Sequence, residues 1–428
     1  MSESHKVEQL DSPDLADQVE EHYPEGGAEA WLVVLASFLV HYAVLGRQTS
    51  FGVFQQFFVA GNTFPGSTNL AISFIGAISI SGLPLFGILA GKLADRYGYR
   101  LIGQLGTLFI ATGYILASFS TQIWHLYLTY GALVGFGCSL AYFPAITIIS
   151  HYFKIKRGTA IGFAAAGSGI GGLTISPMVR AIIVAWGWPW GFRFIGIMCF
   201  VFCGVAPFFY RRGAAPKKQT EKIDYKIFMN LNSLCLAFVP LFFNFGFFIP
   251  SFFVSTFAVY YGMTADQGAL IIGILGGAQA VGRILFGFLA DRLGRINSFA
   301  ITATISAISV MVLWPFSTNF GLLITFVIIY GIFAGGFICL FPLVISELYG
   351  SKNLATITGI LYFGYTFGDM AGTPLAGFLI DQRTWIVNGH KVIDFVPGIL
   401  VGGAMMLVAG ILITVIKVRL NKRFLGRI

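Results

Sequence analysis

Twelve apolar runs, each about as long as a helix that crosses a bilayer, follow one another along the 428 residues. They cover 31–53, 70–91, 101–119, 125–149, 159–183, 192–210, 231–257, 267–289, 298–316, 320–346, 355–379 and 395–417. In lipid an open sheet leaves backbone groups unsatisfied, and runs this long and continuous are not barrel strands, so each is expected to be a transmembrane helix. Composition removes the soluble alternative. Hydrophobic residues make up 56% and charged residues 11%, against ~25% charged in soluble domains. That leaves too little polar surface to cover a soluble globule.

Charge placement orients the runs. The net charge of +9 hides an acidic head: Glu3, Glu8, Asp11, Asp14, Asp17, Glu20, Glu21, Glu25 and Glu29 are nine of the 18 acids, beside a single Lys6. Residues 1–29 read as a solvated tail, without the basic start and apolar run of a signal peptide. From residue 30 onward the balance is 26 basic against 9 acidic groups, or +17. With the head inside, the inner loops hold Lys92, Arg96 and Arg100; Lys154, Lys156 and Arg157; six residues of 211–230; Arg292 and Arg295; Lys352; and Lys417, Arg419, Lys422, Arg423 and Arg427. The outer loops hold Arg383 and Lys391. This asymmetry puts both termini in the cytoplasm. The basic excess is therefore topological, and no nucleic-acid partner is expected.

The basic stretch 211–230 divides the runs into two sets of six, a half at 30–210 and a half at 231–418, followed by a basic tail at 419–428. A repeat supports the division. Gly91-Lys-Leu-Ala-Asp95-Arg96-Tyr-Gly98-Tyr-Arg100 returns 196 positions later as Gly287-Phe-Leu-Ala-Asp291-Arg292-Leu-Gly294-Arg295. Tyr130-Gly131 returns as Tyr330-Gly331, Phe143-Pro144 as Phe341-Pro342, and Pro177 as Pro374. Parallel six-helix halves around a midplane site are a secondary-transporter architecture.

Both copies of the loop pattern resemble the signature of the major facilitator superfamily. The resemblance implies a twelve-helix all-α membrane fold that moves a small solute by alternating access. It also implies an inner gate made by Asp95, Arg96 and Arg100 in one half and by Asp291, Arg292 and Arg295 in the other. Within that superfamily the chain is similar to the fungal branch of the monocarboxylate transporter family. Pro24-Glu-Gly26-Gly27 with Trp31 resembles that family's entry to helix 1, and Ser50-Phe-Gly-Val-Phe54-Gln55 its exit. Tyr152-Phe153-Lys154-Ile-Lys156-Arg157-Gly resembles the approach to helix 5. Pro250 to Ala258 and Gly282-Arg283 resemble helices 7 and 8.

The resemblance implies that Arg283 contacts the substrate, and two departures qualify it. The family's helix 1 Lys is replaced by Thr49, and the Asp four residues before the helix 8 Arg by Gln279. Uptake of a monocarboxylate or related organic anion, and efflux of a fungal secondary metabolite, therefore both stand. A membrane receptor on the same fold is a weaker third reading, because the linker and tail are short.

Ionisable groups at bilayer depth are expensive, and each is a functional candidate. Arg283 can grip a carboxylate in a bidentate fork. Asp369 reads either as its counter-ion or as a protonatable site. His41 reads as a proton-linked group or as a satisfied core histidine. Arg47 and Gln48 either draw an anion inward or snorkel to the interface. Asn244, among Phe242, Phe243, Phe247 and Phe248, and Gln279 complete the set expected to bind substrate.

Trp186, Trp188 and Trp190 read as an interfacial belt. Gly167-Ser-Gly169-Ile-Gly-Gly172 matches a dinucleotide-binding pattern but opens no βαβ unit, so it reads as helix packing. The five cysteines lie in apolar runs and suggest neither disulfide nor metal. No cofactor and no enzymatic activity are expected. The expected partners are the bilayer, a small solute and protons, around a monomer in the plasma membrane.

Overall fold

A computed structural model describes residues 26–60, 64, 69–210, 229–350, 354–387 and 390–420. The acidic residues 1–25, the linker at 211–228, Lys352 and the basic residues 421–428 lie outside the described residues.

Twelve long helical units follow in order. They are α1 (Gly27–Phe54), α2 in two pieces (Asn69–Leu85 and Gly87–Tyr97), α3 (Tyr99–Ala117), α4 (Ile123–His151), α5 (Arg157–Trp186) and α6 (Trp188–Phe209). The second half continues with α7 (Leu231–Tyr260), α8 (Ala265–Leu293), α9 (Arg295–Leu313), α10 (Phe320–Tyr349), α11 (Leu354–Gln382) and α12 (Val396–Leu420). Ten are long and apolar enough to span a bilayer unaided, and the bent α2 is an eleventh. The remaining one, α11, carries Asp369 and a series of glycines and threonines through its length.

The pieces of α2 meet at 43°. Pro84 lies just before the break and removes a helical donor there. α1 tightens into a 3-10 turn over Gly46–Ser50 before helix resumes. A short hairpin, β1 (Thr384–Val387) with β2 (His390–Ile393), connects α11 to α12 in antiparallel register, Thr384 opposite Ile393.

The repeated glycines have a backbone reason. Gly98 joins α2 to α3 with φ 94°, and Gly294 joins α8 to α9 with φ 93°. A side chain at either position would be strained. The same turn therefore reverses the chain at matched places in both halves. Three helix starts of the second half carry side-chain caps, from Asn230, Thr264 and Asn319, and at α8 Thr264 and Gln267 form a reciprocal capping box.

The halves meet through α5 against α8 and α10, and α11 against α2 and α4. At the end that carries the basic loops the contact is backbone to backbone. A Cβ on Gly158 of α5 would stand 2.5 Å from the Gly287 carbonyl oxygen of α8, while one on Gly276, three turns along α8, finds its nearest partner at 4.0 Å. Gly87 and Gly91 of α2 pack as tightly on α11. The molecule is thus closed at the basic-loop end and looser toward the other. Trp186 and Trp190 are exposed as a belt would be, but Trp188 turns inward against Phe58 and Phe192.

Candidate functional site

Arg283 enters the seam because α8 is held tightly against α10 by Gly282, whose Cα faces the Ile332 backbone without room for a side chain. The next residue is thereby turned toward α5. There Gly169 leaves the space its guanidinium occupies, since a Cβ on Gly169 would lie 3.0 Å from Arg283 Nη1. Arg283 is 6% exposed. Its Nε and Nη1 have no hydrogen-bond partner among the described residues. A desolvated guanidinium with free donors is an expensive arrangement unless something else supplies acceptors.

His41 projects from α1 toward the same region and within charge-interaction range of Arg283. Its Nδ1 lies 2.8 Å from the Ser37 carbonyl, one turn back. A proton on Nδ1 satisfies that contact, and the buried Nε2 has no partner. The ring stands edge-on to Tyr142 of α4 at 5.1 Å. Tyr142 is also within charge-interaction range of Arg283. Across the seam, the Tyr142 hydroxyl meets that of Tyr362 on α11 at 3.5 Å. One turn further along α11, Tyr365 packs 5.0 Å from Tyr362.

Asp369 continues that face of α11, and the Asn244 side-chain amide of α7 donates to its carboxylate. Asn244 Oδ1 is left buried without a partner. The structure therefore pairs Asp369 with Asn244 rather than with Arg283, so the counter-ion arrangement is not formed. Gln279 stands one turn before Arg283 on α8, partly buried. Tyr142, Tyr362 and Tyr365 are additions that the sequence does not single out: a tyrosine inside an apolar run looks like packing until its partner across the seam is known.

Arg47 lies elsewhere. It is 1% exposed, inside the first half, where Nη1 donates to Tyr114 Oη at 3.1 Å and to Ser79 Oγ at 3.3 Å, and Nη2 lies 2.9 Å from Cys138 Sγ. The Tyr114 and Tyr130 rings flank the guanidinium at 5.6 and 5.8 Å. Neither a snorkelling side chain nor one open to the outer face describes this cage. Gln48 follows it in the 3-10 turn, half-buried.

The two repeated acids meet helix ends. Asp95 Oδ2 accepts from Thr356 N at 2.8 Å and Thr356 Oγ1 at 2.7 Å, at the start of α11. Asp291 accepts from the amides of Gly158 and Thr159, both at 2.8 Å, and from Thr159 Oγ1 at 2.8 Å, at the start of α5. Each carboxylate thus caps a helix of the opposite half, where amide donors and the helix dipole favour negative charge.

Three of the neighbouring arginines lie over aromatic rings. Arg96 lies over Tyr97 at 5.2 Å, Arg100 over Phe208 at 4.9 Å and Arg292 over Phe288 at 4.2 Å. Arg295 reaches across to the other half, donating to the Lys154 carbonyl at 2.7 Å, while approaching Glu347 of its own half at 3.7 Å. Arg157, in the stretch that leads into helix 5, also spans the halves through Ser346 of α10.

This arrangement can bind an anion at a buried cation and can latch or release one end of the molecule. The sequence pattern of the Major Facilitator Superfamily matches residues 36–278 and again 234–426. The chain is 28% identical over 390 residues to the MFS transporter asaE of Aspergillus flavus, covering 90% of this chain and 87% of that one. It is 28% identical to the aspyridones efflux protein apdF of Emericella nidulans, over 89% of this chain and 77% of that one. To monocarboxylate transporter 12 of Xenopus laevis it is 24% identical, over 92% and 90%. Its fold matches the proton:xylose symporter XylE with a TM-score of 0.69 at 15% identity, over 90% of this chain and 94% of that one. With the pattern matching both halves in turn, around the repeated carboxylate caps and the seam between them, the chain belongs to the major facilitator superfamily and is a multi-pass membrane transporter.

Proposed function

We propose that this transporter carries an organic anion of the carboxylate kind, binding it at Arg283 and exposing the seam to each side of the membrane in turn. The observation that carries this reading is the Arg283 guanidinium, buried between the halves with Nε and Nη1 unpartnered. A carboxylate supplies two acceptors in the geometry a guanidinium offers, as a bidentate pair. The carboxylate caps at Asp95 and Asp291 support a two-position cycle, because each joins one half to the other at one end alone.

Asp369, joined to Asn244, is the candidate proton site in place of the family residue that Gln279 replaces. The positive-inside distribution supports a cytoplasmic basic-loop end with both termini on that side, and we place the monomeric carrier in the plasma membrane. Export of a fungal metabolite is the second reading. It is favoured by Thr49 and Gln279 where the family's uptake carriers have charge, and by similarity to an aspyridones efflux protein.

Counterflow in proteoliposomes, with labelled carboxylates and the pH gradient set in either direction, tests the assignment. Arg283→Gln is expected to lower flux of a transported acid at least about tenfold, the loss of one charge-assisted contact. Unchanged flux in a folded variant would overturn it.

A further inference from the structure

Arg283 specifies a charge, and the side chains around it specify what that charge is attached to. α11 sets Tyr362, Tyr365 and Asp369 on one face through steps of three and four. Phe341 of α10 packs 5.2 Å from Tyr362 and 5.5 Å from Tyr365. Tyr142, from the other half, lies 6.1 Å from Tyr362. These rings meet tilted or edge-on, leaving faces that are not paired flat with one another.

Tyr142 belongs to the first half and the others to the second, so their separation changes whenever the halves move. Their one polar link, the 3.5 Å approach of the Tyr142 and Tyr362 hydroxyls, sits at the edge of hydrogen-bonding distance and is cheaply given up. Packing alone does not ask for hydroxyls here. The neighbouring stack of Phe243 on Phe337 at 3.4 Å fills its space with plain rings. His41, edge-on to Tyr142, adds an unpartnered Nε2 beside the same ring. Aromatic faces attract cations as well as rings, but the buried positive charge of Arg283 disfavours a cationic ligand.

We propose that the seam accepts an aromatic organic acid, its anionic group held by Arg283 and its ring inserted between Tyr142 and Tyr362 in place of their direct contact. The proposal rests on the organic-anion reading and narrows it. Small aliphatic acids would engage the guanidinium and leave the ring faces unused.

The test compares acids of equal charge and similar size on the purified full-length protein: benzoate against cyclohexanecarboxylate, and 2-naphthoate against octanoate, titrated by ligand-dependent shifts in thermal unfolding. Each aromatic acid is expected to bind at least about fivefold tighter than its partner, the size of one good ring–ring contact. Tyr362→Leu is expected to bring that ratio to about one, while Tyr362→Phe keeps it. Arg283→Gln is expected to weaken both members of each pair alike.

If Tyr362→Leu does not fold, Tyr142→Leu makes the same test from the opposite half. A ratio near one in the unmodified protein, or one that survives both leucine variants, overturns the aromatic proposal. In that event, loss of both acids in Arg283→Gln still upholds the organic-anion reading. If no acid shifts unfolding at any concentration, both fall.

Discussion

Two of the buried arginines, Arg47 and Arg283, have surroundings that set them apart. Arg47 is ringed by two tyrosine hydroxyls, a serine and a thiol within one half. Its partners move with it, so it holds α1 to α2, α3 and α4 through a rigid-body cycle. Arg47→Met strands those hydroxyls at a cost of about 1–3 kcal/mol each where no partner replaces the lost one. The variant is expected to show a clear fall in melting temperature, whereas Arg283→Gln, which removes a cation with free donors, is expected to melt near or above the unmodified protein. Differential scanning fluorimetry of both in the same detergent decides this. Asp369→Asn keeps the contact with Asn244 in neutral form, and is expected to retain counterflow exchange while losing its response to an imposed pH gradient. Depth marked all three residues as candidates, with a family resemblance added for Arg283, because hydropathy registers a charge within an apolar run. It does not register whether that charge faces the seam or the interior of one half, and for Arg47 that distinction changed the reading.

At the level of elements, helix ends join the two halves. Asp95 on the start of α11 and Asp291 on the start of α5 each combine amide and hydroxyl donors on one carboxylate, worth about 1.5–3 kcal/mol for a charged acceptor. Removing one with Asp291→Ala is expected to shift the balance between closed and open basic-loop ends roughly 10-fold or more toward open. Spin labels on exposed Lys154 and Arg292, one on each half, would report this as a second, longer distance in pulsed resonance measurements. Gly158→Leu blocks the closed packing of α5 on α8 outright and is expected to give the longer distance alone, with flux abolished. The run lengths and the Gly-x-x-x-Asp repeat were readable because lipid requires continuous helices and a tight turn requires glycine. The receiving threonines, Thr159 and Thr356, carry no sequence signal of their own, since a capped position is defined by what arrives from the other half. The β1–β2 hairpin falls in a stretch read only as an outer loop, because its four-residue strands are too short to stand out from the flanking apolar runs.

For the molecule as a whole, one contact occurs twice with its roles exchanged. The first half offers an acid at Asp95 and a receiving helix end at Thr159; the second offers Asp291 and Thr356. The acids are 196 positions apart and the threonines 197, so each half contains a complete lock and a complete key. An interface of that kind is isologous, the self-complementary arrangement by which two identical subunits close on one another. Two copies of a six-helix unit bearing one acid and one threonine would carry the groups for both contacts at once. The fused chain makes both contacts within one molecule, while Arg283 comes from one half and His41 from the other.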